Sequence, residues 1–343
     1  MKLKNLAVVA VLGLAALSLA ASDTTYSFKR TPKVGDVHKY KQAGKFDVAG
    51  MPIDYEANST WKIIKVDDMG GYTQESTTTD TKINGEDGQF PDHGVIEGNT
   101  MTDTAPRVTE NPIAPVDLVA ANEWVIRGNI ITDFIRAPGK GGEPPYGGFV
   151  KGEGEGNVLE RNLVVCEWKL RDVPGERVGL SLGGGGTGMP FRRMKGLSGF
   201  EQVGGVVRDN LVAFCSDDGI YVNRSARSVI DHNTLLDTAG IDVRFIESSA
   251  TVTANIVDGA IRKREGSSLQ SWDNAMPFLP GLFAGLHPQR SLFRDPAALD
   301  LAWRKAPPPL AETEPRADLC GQERGPASPP GAFGDYAACL NSQ

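Results

Sequence analysis

One short pattern occurs six times between residues 95 and 274: an apolar run, an asparagine, a second apolar run, and then a further strand-like stretch. The clearest copy is VIDHNTLLDTAGIDVRF, residues 229–245. The asparagines are separated by 30, 33, 48, 23 and 22 residues, and they are Asn99, Asn129, Asn162, Asn210, Asn233 and Asn255. Repetition in a fixed order, with a shortest period of 22 residues, is typical of stacked coils and not of a hairpin meander.

Asparagine suits a sharp bend between strands, because it tolerates the left-handed backbone conformation and its side chain forms local hydrogen bonds. In stacked coils the asparagines would lie above one another, so that their amides can bond along a ladder. The flanking apolar residues would face the interior, where each coil packs against its neighbours. We therefore predict an all-β chain with a right-handed parallel β-helix of about six coils over residues 91–274. The alternative is an all-β sandwich with coincidental asparagine turns.

The composition divides the chain near residue 95. Ten lysines and one arginine precede this point, whereas six lysines and nineteen arginines follow it. The first part alternates polar and apolar residues and has hairpin-like breaks at residues 43–44 and 69–71, which predicts a small antiparallel β domain over residues 22–90. The abrupt change from lysine to arginine suggests that two pieces of different origin are fused.

The first residues, MKLKNLAVVAVLGLAALSLAAS, combine a basic tip, a short apolar run and small residues near Ala20. This predicts a signal peptide over residues 1–21 and export to the periplasm or beyond, without a membrane anchor. The net charge of −7 argues against nucleic acid as a partner. We expect a monomer.

The four cysteines fit an oxidising compartment. Cys166 follows Asn162 by four residues and Cys215 follows Asn210 by five, so the two sulfurs would stack if those asparagines belong to consecutive coils. We expect a disulfide between Cys320 and Cys339 to order the proline-rich segment 275–343, which we interpret as a tail or cap. Metal binding by the cysteines is not indicated, because they form no Cys-x-x-Cys pair.

The loops of the predicted coils differ in length at one corner. From each asparagine to the first inward apolar residue of the following strand, the distances are 19, 20, 18, 10, 8 and 6 residues, ending at Leu118, Phe149, Leu180, Ile220, Ile241 and Ile261. Three long loops are thus followed by three short ones. This predicts a step on the surface, along which an extended polymer could lie.

Alternation assigns the side chains of that step. The residues predicted to point inward are Ile220, Val222, Ile241, Val243 and Phe245. We call "the shelf" the outward set on the same strands and the next coil, which is Tyr221, Asn223, Asp242, Arg244, Arg262 and Arg264. Lys151 and Ser181 should lie on neighbouring coils under the long loops. Arginine pairs with carboxylate in bidentate fashion and tyrosine can stack on a ring, so the shelf suits an acidic polysaccharide. The alternative is a solvated face in which Asp242 and Arg262 pair with each other.

The stretch SDDG adds a second candidate. Asp217 and Asp218 resemble the paired acids of β-helix hydrolases, in which one carboxyl group protonates the leaving oxygen and the other activates water. They could instead help to bind Ca²⁺, which takes six or more oxygen ligands. A plain turn between strands also accounts for Asp and Gly at this place.

Residues 95–274 resemble the pectin-lyase-like superfamily of right-handed parallel β-helices. The stretches CEWKL, RVGLSLGGGGTG, CSDDGIYVN, NTLLDTAGIDVRF and VDGAIRKREG are most similar to uncharacterised secreted bacterial β-helix repeat proteins. The resemblance implies the fold but no single reaction, since the superfamily includes lyases, glycoside hydrolases, esterases and non-catalytic modules.

Two functional hypotheses follow. In the first, the protein acts on an acidic polysaccharide, for example as an eliminating lyase: Arg244, Arg262 or Arg264 neutralises the sugar carboxylate, and Lys151 or a Ca²⁺-bound group removes the proton. In the second, the β-helix is a non-catalytic surface or glycan-binding module, and the arginines form only a contact surface.

Overall fold

The computed structural model describes residues 33–48, 51–66, 72–83, 86–87, 93–184, 187–188, 191–193 and 198–341. The predicted signal peptide, residues 1–21, lies outside them. The chain separates into two compact units, Met1–Pro91 and Asp92–Gln343. In the described parts, no helix is long and apolar enough to cross a membrane.

The first unit contains an antiparallel sheet, sheet A. Its strands pair in chain order and are Val37–Val48, Met51–Val66, Tyr72–Ile83 and Glu86–Asp87. The predicted break at residues 43–44 is wrong, because Ala43 and Gly44 pair with Glu56 and Tyr55 in the middle of the first strand. Glycine inside a strand does not end it when the ladder continues on both sides. The predicted break at residues 69–71 lies outside the described residues.

The second unit is a parallel β-helix of six coils, as predicted, with three long parallel sheets. Sheet B precedes the asparagines and comprises Gly94–Glu97, Trp124–Arg127, Val158–Glu160, Val206–Arg208, Ser228–Asp231, Ser249–Thr253 and Ser268–Trp272. Sheet C follows the asparagines and comprises Thr100–Thr102, Ile130–Thr132, Leu163–Val165, Leu211–Ala213, Thr234–Leu236 and Ile256–Val257. Sheet D completes each coil and comprises Val116–Val119, Tyr146–Lys151, Val178–Leu182, Ile220–Asn223, Gly240–Arg244 and Ala260–Arg264.

A small parallel sheet lies between sheets D and B in the chain and comprises Gly154–Glu155, Gln202–Val203 and Ser225–Ala226. The interior is lined by stacked apolar side chains. In sheet B the stack is fully buried and runs through Ile126, Leu159, Val207, Ile230 and Val252. Such side chains each contribute about 1.5–3 kcal/mol on burial, so the stacks are the main source of stability.

The predicted asparagine ladder is present at the bend between sheets B and C. The side-chain Nδ2 of Asn210 donates to Oδ1 of Asn233 at 2.9 Å, and Asn233 donates to Asn255 at 2.9 Å. The same bond joins every pair of neighbours from Asn99 onward. The ladder continues one step further than predicted, to Asn274, which opens a seventh turn.

The sequence predicts that the asparagine adopts the left-handed conformation at this bend. In the structure the residue before the asparagine adopts it. Arg161, Asp209 and His232 have φ of 54°, 54° and 51°, and Gly98 and Gly128 occupy the same place in the first two coils. The asparagine side chain is needed for the ladder, so the neighbouring residue takes the strained conformation.

Both predicted disulfides are confirmed. Cys166 and Cys215 lie on adjacent coils with Cα atoms 4.9 Å apart, and Cys320 is bonded to Cys339. The 48-residue gap between Asn162 and Asn210 therefore hides no extra coil. It contains two insertions in the third coil instead, residues 166–177 before its sheet D strand and 183–201 after it.

The C-terminal segment lies on the outer face of sheet C. Its elements are the helices Leu279–Phe283 and Tyr336–Asn341, the 3₁₀ turns Arg290–Leu292 and Pro296–Ala298, and the strands Phe293–Asp295 and Asp300–Trp303. Phe293, Leu301 and Phe333 are fully buried against the outward residues of sheet C, among them Leu211 and Leu236. The buried Arg324 is bound to Asp209 at 2.6 Å. This segment makes sheet C an interior face.

Candidate functional site

The outward side chains of sheet D form two stacked columns. Register places Asp117, Phe149, Ser181, Tyr221, Asp242 and Arg262 in one column. The second column includes Val119 and Lys151 on the first two coils and Asn223, Arg244 and Arg264 on the last three. The six residues of the shelf therefore lie together on coils 4 to 6, while Lys151 lies on coil 2.

The loops between sheets C and D make the step that the sequence predicts. They span residues 103–115, 133–145 and 166–177 in coils 1 to 3, and only 214–219, 237–239 and 258–259 in coils 4 to 6. All of them leave the helix at the same corner. The long loops consequently stand beside the shelf.

Two residues predicted to point inward do not. Phe149 lies in the outward column, where Tyr146 stacks on it at 4.3 Å between ring centroids. Gly184 covers it, and a Cβ at Gly184 would come within 2.2 Å of the Phe149 ring. Phe245 occupies the corner after its strand with a φ of 75°. Alternation fails for Phe245 because the strand has already ended at Arg244.

The shelf is built from exposed arginines over buried carboxylates. The side chains of Arg244, Arg262 and Arg264 are 34, 37 and 44 % exposed, whereas Asp242 is fully buried. Tyr221 is 8 % exposed and packs in a cluster with Tyr146, Phe149 and Val178, so little of its ring is open for stacking on a sugar. Its hydroxyl accepts a hydrogen bond from Nδ2 of Asn223 at 3.2 Å.

Arg262 connects two carboxylates from different coils. Its Nη2 lies 2.6 Å from Oδ1 of Asp218 and 4.0 Å from Oδ2 of Asp242. Arg264 takes the other side of Asp242, with Nε donating to Oδ2 at 2.9 Å. The pairing expected between Asp242 and Arg262 is therefore the weaker contact, because Arg262 reaches past Asp242 to Asp218.

Asp218 and Asp242 experience different electrostatic surroundings. Burial raises the pKa of Asp218 to about 7, and the nearby charges of Asp217 and Asp242 add to this effect while Arg262 opposes it. Burial likewise raises the pKa of Tyr221. The hydrogen bond with Asp242 raises the pKa of Arg264, so this arginine stays charged beside Asp242. The site thus places a carboxyl group that titrates near neutral pH beside an ion pair.

The loop that bears Asp218 is held from several directions. The disulfide of Cys215 joins it to the long loop of coil 3. Ser216 donates through Oγ to the carbonyl of Gly175 at 2.8 Å and accepts from the backbone N–H of Arg177 at 3.0 Å. The carbonyl of Asp218 accepts from the N–H of Gly179 at 2.9 Å. These contacts fix the carboxyl group in place.

Lys151 is remote from the arginines. It is buried on coil 2, where its Nζ lies 3.3 Å from Asp117 and 3.9 Å from the centroid of the Phe149 ring. Four strand spacings separate coil 2 from coil 6, which is about 19 Å at 4.8 Å per strand. The structure therefore does not bring Lys151 to the same place as Arg262.

The expected Ca²⁺ ligands, Asp217 and Asp218, differ in burial. Asp217 is half-buried, whereas Asp218 is buried and pairs with Arg262. Within the described part of the chain, no three side chains of His, Cys, Asp or Glu cluster closely enough to bind a metal ion. These two carboxylates thus have different environments and do not share a ligand position.

Sequence reasoning missed Arg224 and Glu265, which also border the shelf. Both follow the last residue of a sheet D strand, at the corner position that Gly152 and Gly183 occupy in earlier coils. Aligning the coils on their strand ends, instead of on their asparagines, could have found them.

No family model, curated protein or solved structure matches this chain.

Proposed function

We propose that this chain is an exported β-helix protein of the pectin-lyase-like kind that binds an acidic polysaccharide on the shelf and hydrolyses its glycosidic bonds. The observation that carries the proposal is the pair of buried carboxyl groups, Asp218 and Asp242, at 2.6 and 4.0 Å from the same Nη2 of Arg262. Ion-paired arginines are common on β-helix surfaces, but burying the two carboxyl groups beneath them carries a desolvation cost.

Hydrolysis needs a proton donor and a stabilising negative charge. Asp218 is suited to the first role, because its raised pKa keeps it protonated near neutral pH. As the glycosidic C–O bond breaks, its proton would pass to the leaving oxygen. Asp242, which accepts a hydrogen bond from Arg264, would stabilise the positive charge that develops on the sugar. A water molecule then adds to the anomeric carbon and returns a proton to Asp218.

The spacing of the two acids is compatible with this chemistry. Their contacting oxygens cannot be further apart than the sum of their distances to Nη2 of Arg262, 2.6 and 4.0 Å. Glycosidases place their two carboxyl groups about 5–5.5 Å apart when they retain configuration and about 6.5–9.5 Å apart when they invert it. This limit excludes nearly all of the inverting range and leaves the retaining arrangement possible.

Elimination by Lys151 is less well supported. A lyase base and the arginine that neutralises the carboxylate must reach the same sugar ring, whereas Lys151 and Arg262 are separated by about four strand spacings. Lys151 is also engaged with Asp117. Export is supported by the two disulfides, which form in oxidising compartments.

A second candidate is a non-catalytic glycan-binding surface. The observation in its favour is that Arg244, Arg262 and Arg264 are each paired with a carboxylate of their own chain, Glu265, Asp218 and Asp242 respectively. Such a surface would bind weakly and without turnover. It differs from the first candidate only in the absence of cleavage.

The test is product chemistry with a panel of uronate polymers and their neutral counterparts. Hydrolysis yields new reducing ends without unsaturated sugars, whereas elimination also yields ultraviolet-absorbing unsaturated ends. We expect the first result, and Asp218→Asn should lower the rate by roughly 10²–10⁴-fold. Glu160→Gln is the matched control, because Glu160 is paired with Arg208 at 2.7 Å on the outer face of sheet B and should not alter the rate. Unsaturated products, or a rate indifferent to Asp218, would contradict the proposal.

A further inference from the structure

The corner that follows sheet D contains one residue per coil in the left-handed backbone conformation. These residues are Ala120, Gly152, Gly183, Arg224, Phe245 and Glu265, with φ of 59°, 82°, 76°, 51°, 75° and 51°. Glycine adopts this conformation without strain, and a large side chain does not. Arg224 and Phe245 therefore accept a backbone cost that glycine avoids at the same corner of coils 2 and 3.

Arg224 and Phe245 are stacked on each other. The guanidinium Cζ of Arg224 lies 4.9 Å from the centroid of the Phe245 ring, and that of Arg244 lies 4.7 Å from it. A guanidinium beside an aromatic ring is attracted to its face, and its N–H groups point outward in the guanidinium plane. The ring thus orients two cations at the edge of the shelf.

Among the described residues, Arg244 has a carboxylate partner and Arg224 has none. Nη2 of Arg244 lies 2.7 Å from Oε1 of Glu265. For Arg224, the described residues provide no carboxylate within ion-pair distance and no acceptor for its side-chain N–H groups, although the side chain is half-buried. Arg224 therefore differs from Arg244, Arg262 and Arg264, each of which has a carboxylate partner.

We propose that Arg224, oriented by Phe245 and flanked by Arg244, is an anion subsite that binds the carboxylate of an acidic sugar unit. The proposal rests on the proposed function and extends it, since it assigns the recognition of charge to one corner. A planar guanidinium with free N–H donors matches a carboxylate in bidentate fashion. The positive charge of Arg244 close by increases the cost of leaving Arg224 without an anion.

The subsite is displaced from the reacting pair along the strand. Asp218 enters the strand Ile220–Asn223 and Arg224 leaves it. Asp242, the other acid of the reacting pair, is aligned with Tyr221, three residues before Arg224, which is about 10 Å of backbone at about 3.3 Å per residue. An extended substrate of a few sugar units can therefore reach both places.

Binding measured by calorimetry tests this subsite independently of turnover. The ligands are oligomers of galacturonate and of alginate, and the galacturonate oligomer is also used with its carboxylates methyl-esterified, which removes the charge from the same skeleton. Full-length processed protein is compared with Arg224→Gln and Arg224→Lys. Arg227→Gln is the matched control, since Arg227 is also a left-handed corner residue, with a φ of 54°, but is exposed and lies 3.5 Å from Glu155.

We expect Arg224→Gln to weaken binding of an acidic oligomer at least tenfold, Arg224→Lys to restore part of the loss, and the methyl ester to bind all variants alike. Equal binding by wild type and Arg224→Gln, equal losses for acid and ester, or no binding of any acidic oligomer by the wild type would overturn the subsite. Binding that depends on Arg224 without any cleavage would overturn only the hydrolysis proposed above. Cleavage indifferent to Arg224 would overturn only the subsite.

Discussion

The outer faces of sheets B and D contain the same residue types in different arrangements. On sheet B, register stacks Glu97, Arg127, Glu160, Arg208 and Asp231 in a column of alternating charge. Each pair is formed between adjacent strands at the same register position, as for Arg127 with Glu97 at 2.8 Å. On sheet D, Arg262 instead extends past coil 5 to an acid that lies in a loop of coil 4.

The pKa values of the carboxyl groups differ in direction between the two faces. The hydrogen bond from Arg127 lowers the pKa of Glu97, which is half-exposed, whereas burial raises the pKa of Asp218 to about 7. An exposed ladder of ion pairs stabilises a coil only slightly and performs no chemistry. The comparison shows that the burial of the acid, and not the presence of the arginine, distinguishes a candidate site from a structural face.

The largest expected effect comes from removing the tether of the Asp218 loop. Replacing Cys166 and Cys215 with alanine should lower the free energy of unfolding by about 2–5 kcal/mol, measured by urea denaturation. Cleavage should fall as well, because the loop that positions Asp218 loses a covalent anchor. In the control, alanine at Cys320 and Cys339 should reduce stability but leave cleavage intact in the folded fraction. Equal losses of cleavage in both variants would remove the special role of the first disulfide.

The next effect is the pH dependence of stability. The folded-state pKa of Asp218, about 7, exceeds the unfolded value of about 3.9. Between these values the folded state binds the proton more tightly, so this contribution is full below pH about 4 and is lost as pH rises through 7. Its size is on the order of 4 kcal/mol, and Asp218→Asn should abolish it.

Glu97 should behave in the opposite way. Its pKa is lowered in the folded state, so its contribution is present above the unfolded value and is lost as pH falls through the folded one. Because Glu97 is half-exposed, the contribution should be about 0.5 kcal/mol or less. Unfolding curves of Asp218→Asn and Glu97→Gln between pH 4 and 8 would measure both. If the pH dependence of the free energy of unfolding changed in the same direction in both variants, the proposed difference between the two faces would be wrong.

The third effect separates the two matched arginines. Arg262 and Arg208 are 37 and 36 % exposed and each contacts a carboxylate at 2.6 or 2.7 Å. Arg262→Ala should cost about 1–3 kcal/mol, because it leaves the buried carboxyl group of Asp218 without its hydrogen-bond partner. Arg208→Ala should cost less than about 1 kcal/mol, as is usual for surface pairs. Thermal unfolding of the two variants side by side checks this, and a larger loss for Arg208→Ala would reverse the argument.

Features that repeat from coil to coil could be predicted from the sequence. The coils, the asparagine ladder and the pairing of Cys166 with Cys215 depend on stacking equivalent positions, and spacing alone reveals equivalence. The loop lengths beside the shelf follow for the same reason. Asn274 was missed because the turn it opens has no following strand of sheet C to mark it.

The remaining details depend on contacts between distant residues. The apolar character of Phe149 predicts an inward side chain. In the structure its ring points outward and packs against Gly184 from a loop of the next coil, a contact that alternation does not encode. The partner of Arg262 is set by the reach of a long side chain across two coils, so register suggested Asp242 when the closer acid is Asp218. Phe245 shows that alternation ends where the strand ends.

The most direct test of the difference between the two faces is the footprint of an acidic oligosaccharide on the inactive Asp218→Asn protein, mapped by the NMR shifts of side-chain arginine N–H groups. Our account predicts that Arg224, Arg244 and Arg262 shift on titration and that Arg127 and Arg208 do not. Shifts confined to Arg127 and Arg208, or equal shifts on both faces, would contradict the assignment of the glycan site to sheet D.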